Sequence, residues 1–206
     1  VPGERLRTVK LRGQVSQGLL LPLEPTCANI ESLLMEGLDV SVPLNIQKWE
    51  APIAAQLAGK VRGNFPSFIP KTDQERIQNL TREWAQWTHD RVTFEVTEKL
   101  DGSSMTVYVK YDEDESTVGV CSRNLDLAET EDNTFWKVAR DQELITKIQA
   151  LQRSIAFQGE LVGEGVQKNR YNLKGQKFFL FDIYDIDEQR YLNPMERQFI
   201  TGMLGI

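Results

Sequence analysis

The sequence predicts an α+β fold of antiparallel sheets with flanking helices. Three observations carry that reading. Two segments alternate apolar and polar residues, Val92, Phe94, Val96 and then Met105, Val107, Val109, and D-G-S-S lies between them as turn chemistry. Two further strand-like runs follow, IAFQGELVG and KFFLFDIYDI. Apolar residues at helical spacing occur in separate stretches between and after these runs. The chain has 206 residues, of which 40% are apolar and 26% charged, enough to build a core.

The elements are expected in the following order. Residues 1–45 read as β-rich, with Val9, Leu11 and Val15 and then an apolar run closed by Pro22; EPTCANIESLLMEGLDV is a short helical stretch at best. Such a segment is too small for its own core and reads as part of a larger module. Residues 49–71 hold three prolines and two glycines and read as a packed connector. Thr72 and Glu75 form a capping-box pattern ahead of Ile77, Leu80, Trp84 and Trp87, so a helix is expected there, with His89 at its exposed end. Strands over 92–99 and 105–111 follow, then the acidic tip DEDEST, the strand VGVCSR, and a helix from Asn133 or Thr134 to Gln152. After the last two strands, Asn193, Pro194 and Glu196 start a final helix. The chain stops within it at Ile206, and this ending reads as that of a truncated or excised piece.

Charge and residue usage narrow the chemistry. Lys plus Arg number 24 against 30 Asp plus Glu, a net charge of −6, so any nucleic-acid contact needs a local basic patch. Mean hydropathy is −0.40, and no apolar run approaches the length of a membrane span. No apolar leader opens the chain, so an intracellular location is expected. Cys27, Cys121 and His89 are too few for a disulfide framework, a Cys/His zinc site or a Ser-His-Asp triad. Chemistry must then run on Lys, Asp, Glu and Arg.

The segment EKLDGSS places Lys99 at the end of an expected strand, on its polar face and before a tight turn. K-x-D-G alone is weak evidence, since average residue frequencies produce it in about one chain in twenty of this length. Its ordinary reading is a solvated lysine beside a D-G turn. Three later segments change the balance. CSRNLDL puts Arg123 at a strand end, and QGELVGEGVQ puts Glu160 on the face opposite Phe157 and Leu161, followed by glycines. FFLFDIYDI puts Phe179 and Phe181 on one strand face and Asp182 on the other. A lysine, an arginine, a carboxylate and an aromatic at strand ends can together build a nucleotide site, the arginine meeting phosphate and the aromatic a base.

In this order, K-x-D-G, S-R, E-L-V-G-x-G-x-Q and F-F-x-F-D-I resemble the covalent nucleotidyltransferases, which comprise the ATP-dependent RNA and DNA ligases and the capping guanylyltransferases. The longer segments TEKLDGSSMTVYV, QGELVGEGVQKNRYNL and FPSFIPKTDQERIQN resemble the RNA ligases typified by the Deinococcus and Naegleria enzymes. The resemblance spans nearly the whole chain. It implies a nucleotidyltransferase (ATP-grasp-like ligase) domain over 46–206, incomplete at its C-terminus, preceded over 1–45 by the tail of an OB-like module. The family's E-G-x-V-x-K and K-x-K segments are not in the sequence.

The resemblance also implies roles. Lys99 takes AMP from ATP. Asp101 orients it and, with Glu160, holds Mg²⁺ or Mn²⁺ through water. Arg123 contacts the nucleotide or a nick phosphate, and Glu160 the ribose or the metal's water. Phe181 stacks on adenine, and the Glu98 backbone reads the adenine edge. Lys71 and Arg76 reach the triphosphate. The implied partner is RNA with 5′-phosphate and 3′-OH ends, as in a nicked duplex. A DNA ligase, a capping enzyme and a non-catalytic nucleotide- or RNA-binding fragment are the alternatives.

Overall fold

The computed structural model describes residues 9–11, 14–16, 53–113 and 115–206. The chain divides into two compact units, Val1–Pro52 and Ile53–Ile206. In the first, β1 (Val9–Leu11) pairs antiparallel with β2 (Gln14–Ser16), on residues the sequence marks as strand. The helical stretch expected over 24–40 lies outside the described residues.

The second unit is built on one sheet of seven strands: β3 (Val61–Asn64), β4 (Ser103–Tyr111), β5 (Ser116–Cys121), β6 (Leu125–Leu127), β7 (Ile155–Gly163), β8 (Gln176–Asp185) and β9 (Arg190–Tyr191). Their spatial order is β3-β6-β5-β4-β7-β8-β9. Every pairing is antiparallel. The helices are α1 (Thr81–His89), α2 (Thr134–Asp141), α3 (Leu144–Gln149) and α4 (Pro194–Leu204).

Both faces of the central strands are covered. On one face Met105, Val107, Val109, Phe157, Leu161, Phe178 and Ile183 pack with Trp136 and Val138 of α2, Leu144 and Ile148 of α3, and Ile200 of α4. On the other face Tyr108, Ala156 and Tyr184 pack with Phe65 and Ile69 from the segment after β3. Removing each large apolar side chain from water contributes about 1.5–3 kcal/mol, so this two-sided layer is the main source of stability. It also explains why Met105–Val109 is buried without interruption instead of alternating.

Several expectations are corrected. No strand forms over 92–99: β4 pairs instead with β5 through Thr106–Tyr111 and with β7 through Ser103–Val109. Phe94 instead packs on Trp84 and Trp87, with ring centroids 6.0 and 5.5 Å apart, and Val96 is 92% exposed. The helix expected from Thr72 begins at Thr81 after a 3-10 turn at Ile77–Asn79. Thr72 Oγ1 bonds Ser104 Oγ instead, at 3.1 Å, and the Glu75 carboxylate accepts from Asn79 and the Arg76 N–H. The helix expected over 134–152 is two helices, because Glu143 sits at φ 55° and the Gln142 side chain bridges to both backbone polar groups of Phe178. The connector contributes β3, and its Phe65 and Ile69 are packed down as expected.

The caps follow the sequence. Asn133 accepts from the N–H groups of Phe135 and Trp136, and Asn193 with Glu196 forms a complete capping box. Cys121 is free and buried, and burial pushes its thiol pKa up. His89 is exposed at the end of α1.

This layering predicts a contrast measurable by denaturant unfolding. Phe157→Ala, at a fully buried position, is expected to cost about 3–5 kcal/mol. Val96→Ala is expected to stay within about 0.5 kcal/mol.

Candidate nucleotide site

The site is assembled at the end of β4 where Ser103 follows Gly102. In register, Ser104 faces Glu160 of β7, and Glu160 faces Phe179 of β8. Glu160 Oε1 accepts the Gly102 N–H at 3.0 Å, and Gln167 Nε2 donates to the Gly102 carbonyl at 3.2 Å. The Gly102 peptide is thus held from both sides. A Cβ at Gly102 would lie 2.2 Å from the Leu161 carbonyl oxygen, so only glycine fits this approach of turn to strand.

The flanking residues are charged. Asp101 pairs with Arg170 at 3.1 Å, and Arg123 with Asp73 at 2.5 Å. Next to Arg123, Asn124 accepts from Lys71 Nζ at 2.8 Å. The chain leading to Lys99 is anchored upstream through Glu95, which pairs with Arg197 of α4; the same guanidinium lies 3.4 Å from Asp182 of β8.

Glu160 gathers the electrostatics of the cluster. Burial raises its pKa above the ordinary carboxylate range. The Gly102 N–H and the Lys99 and Arg123 charges oppose that shift, and the Asp101 charge adds to it. The charges of Lys99, Asp101 and Arg123 therefore all act on the Glu160 carboxylate. Lys99 itself is exposed and sits on an irregular segment, which corrects the expectation of a strand end.

The remaining expected site residues are placed less tightly. Glu98 and Arg76 are exposed. Phe181 is half-buried at a β-bulge in β8, where Gln158 pairs with Asp182 and Gly159 with Leu180. The extra residue shifts the alternation, so Phe179 and Asp182 share the face of Glu160 and Gln158, contrary to the expected split. Phe179 is 38% exposed, and Phe178 is the core member of the run.

Sequence reasoning missed Asp73, Ser104 and Arg170. Gln167 stood within the quoted E-L-V-G-x-G-x-Q pattern without a role, and its spacing from Glu160 was the available signal. Among the described residues no group of three metal-ligating side chains gathers. The Asp101 and Glu160 carboxylates, expected from the sequence to face a cation through its water, both lie beside the Gly102 turn, and two carboxylates suit a hard cation that keeps most of its water.

The Glu160 shift has a stability consequence. A carboxylate whose folded pKa is raised lends full stability only below its unfolded pKa and loses it as pH rises through the folded value. Glu160→Gln is therefore expected to melt higher than the parent at pH 7.5, with the difference vanishing below about pH 4. Thermal melts across that range check the sign.

Comparison with known proteins bears on this geometry. A family model described as RNA ligase matches residues 92–206. A Naegleria gruberi RNA ligase mutant solved with AMP and Mn is 50% identical, with a TM-score of 0.64, covering 98% of this chain and 57% of that one. A second mutant of it, solved with ATP and Mn, is 49% identical with a TM-score of 0.64, covering 98% and 58%. The same ligase with PPi is 49% identical with a TM-score of 0.63, covering 98% and 57%. The present chain thus spans a little over half the length of these relatives. Comparison with curated protein sequences finds no match. The antiparallel sheet with its flanking helices is the nucleotidyltransferase fold of these ligases, and the chain belongs to the RNA ligase family.

Proposed function

We propose that this chain carries the adenylyltransferase part of an ATP-dependent RNA ligase, with Lys99 as the nucleophile. The observation that carries the reading is the Gly102 turn, gripped by Glu160 and Gln167, with Lys99 three residues upstream and acting on the Glu160 carboxylate. The solution of the N. gruberi relative with ATP, AMP and Mn supports ATP and a divalent cation as the ligands.

An ordinary lysine, with a pKa of about 10.4, is almost wholly protonated at neutral pH and must shed its proton to attack. A bound divalent cation disfavours the ammonium form and draws charge from the phosphate oxygens. Asp101 and Glu160 would hold that cation through its water. Lys99 Nζ then forms a bond to the α-phosphorus as pyrophosphate leaves, giving a phosphoramidate. Arg123 and Lys71 neutralise phosphate charge. The AMP passes to an RNA 5′-phosphate oxygen, and a 3′-OH displaces AMP to form the new phosphodiester.

Phe181 is the adenine platform in this reading, and Arg76 and the Glu98 backbone serve as further nucleotide contacts. The substrate is RNA bearing 5′-phosphate and 3′-OH ends, as in a nicked duplex. In this reading residues 1–45 belong to an OB-like module ahead of the catalytic domain at 46–206. The scarcity of cysteine favours an intracellular setting. Among the described residues no helix is long and apolar enough to cross a membrane.

Labelled ATP with Mn²⁺ followed by a denaturing gel is expected to leave label on the protein and none on Lys99→Ala. Label persisting on that variant would refute the assignment. Phe181→Ala is expected to weaken ATP binding about 5- to 150-fold, on the scale of one stacked base. Phe178, 3% exposed in the core, is the control. Phe178→Ala is expected to lose about 3–5 kcal/mol of stability with ATP affinity retained in the folded fraction.

A further inference from the structure

The loop between β7 and β8 reaches back over the site. Glu164 N–H bonds the Gly175 carbonyl at 2.9 Å, closing its base. Within it, the Asn169 side chain exchanges two hydrogen bonds with the Leu173 backbone, at 3.0 and 3.1 Å. Gln167, Asn169 and Asn172 adopt φ of 46°, 41° and 50°, so the loop turns tightly at non-glycine positions. From this braced frame two side chains touch consecutive residues of the Lys99 turn: Gln167 Nε2 the Gly102 carbonyl, and Arg170 Nε the Asp101 carboxylate.

We propose that Arg170 is the resident counter-cation of Asp101, a positioning residue that holds this carboxylate until a divalent cation displaces it. The proposal rests on the reading of Asp101 and Glu160 as the pair that faces the metal. Asp101 otherwise presents its charge beside Glu160, whose carboxylate accepts the N–H of the very next residue, Gly102, at 3.0 Å. A guanidinium on Asp101 relieves that repulsion. The contact is an exposed ion pair, with the side chains of Arg170 and Asp101 66% and 46% exposed. Such a pair is weak and exchangeable. A divalent cation carries twice the charge and competes for the same oxygens. The Gln167 bond keeps the turn in place when the guanidinium leaves, because it acts on the backbone and not on the carboxylate.

The test is Mn²⁺ binding by the protein, read from the loss of the free-ion electron paramagnetic resonance signal, with Mn²⁺ alone as the probe. Removal of a competing cation is expected to tighten Mn²⁺ binding in Arg170→Ala about 1.5- to 5-fold, the range set by an exposed ion pair. Arg170→Lys, which keeps the charge, is expected to bind Mn²⁺ like the parent. A purely structural role for Arg170 would weaken binding in Arg170→Ala or leave it unchanged, and either result overturns the proposal. Asp101→Ala separates the two readings. If Mn²⁺ binding weakens there but does not tighten in Arg170→Ala, only the counter-cation proposal fails. If Asp101→Ala binds Mn²⁺ as the parent does, the metal-facing assignment fails and the proposal falls with it.

Discussion

The hydrogen bond from the Gly102 N–H to Glu160 is the contact on which the site depends. The chain upstream of it, from 92 to 101, has no strand partner and little buried surface of its own. Downstream, β4 is locked between β5 and β7. Gly102 is the last point at which the irregular segment is tied to the rigid sheet. The tie needs three things together: no side chain at 102, a carboxylate at 160, and the register that sets Ser104 opposite Glu160. A slip of one residue in that register would turn Glu160 into the apolar layer and the site would not form.

The sheet supports this by being buried on both faces. Helices α2, α3 and α4 cover one side, and the segment from Phe65 to Pro70 crosses the other. That crossing carries its own polar bookkeeping. Gln158 is fully buried, yet its amide donates to the Pro70 carbonyl at 2.7 Å and accepts from the Tyr191 hydroxyl at 3.0 Å. An unpaired amide there would be costly, and the paired one fixes where the segment runs. Just beyond Pro70, the same segment delivers Lys71, Thr72 and Asp73 to Asn124, Ser104 and Arg123. Core packing and site assembly are therefore one continuous path.

Much of this was legible in the residues. Met105, Val107 and Val109 announced β4, Asn133 and Asn193 announced helix starts, and Glu160 stood out as a carboxylate on a strand otherwise rich in apolar groups. The order of the motifs, through the family resemblance it carries, groups Lys99, Asp101, Arg123 and Glu160 as expected site residues. What the pattern could not convey was competition between partners. Val92, Phe94 and Val96 alternate as a strand does, but whether an edge is free for them is a property of the whole sheet. The bulge at Phe181 was equally invisible, since a single extra residue shifts which side chains share a face without altering the local pattern. Arg170 and Asp73 were hidden because their partners lie far away in sequence, and a surface arginine or aspartate carries no periodic signal.

A partly desolvated Glu160 carboxylate grips the Gly102 amide. An NMR titration of the Gly102 amide proton addresses it directly, because the resonance must follow the charge of the oxygen it bonds. A titration midpoint above the ordinary glutamate value of about 4.3 is expected, absent in Glu160→Gln. A Gly102 amide that does not titrate, or that titrates identically in the variant, would contradict it.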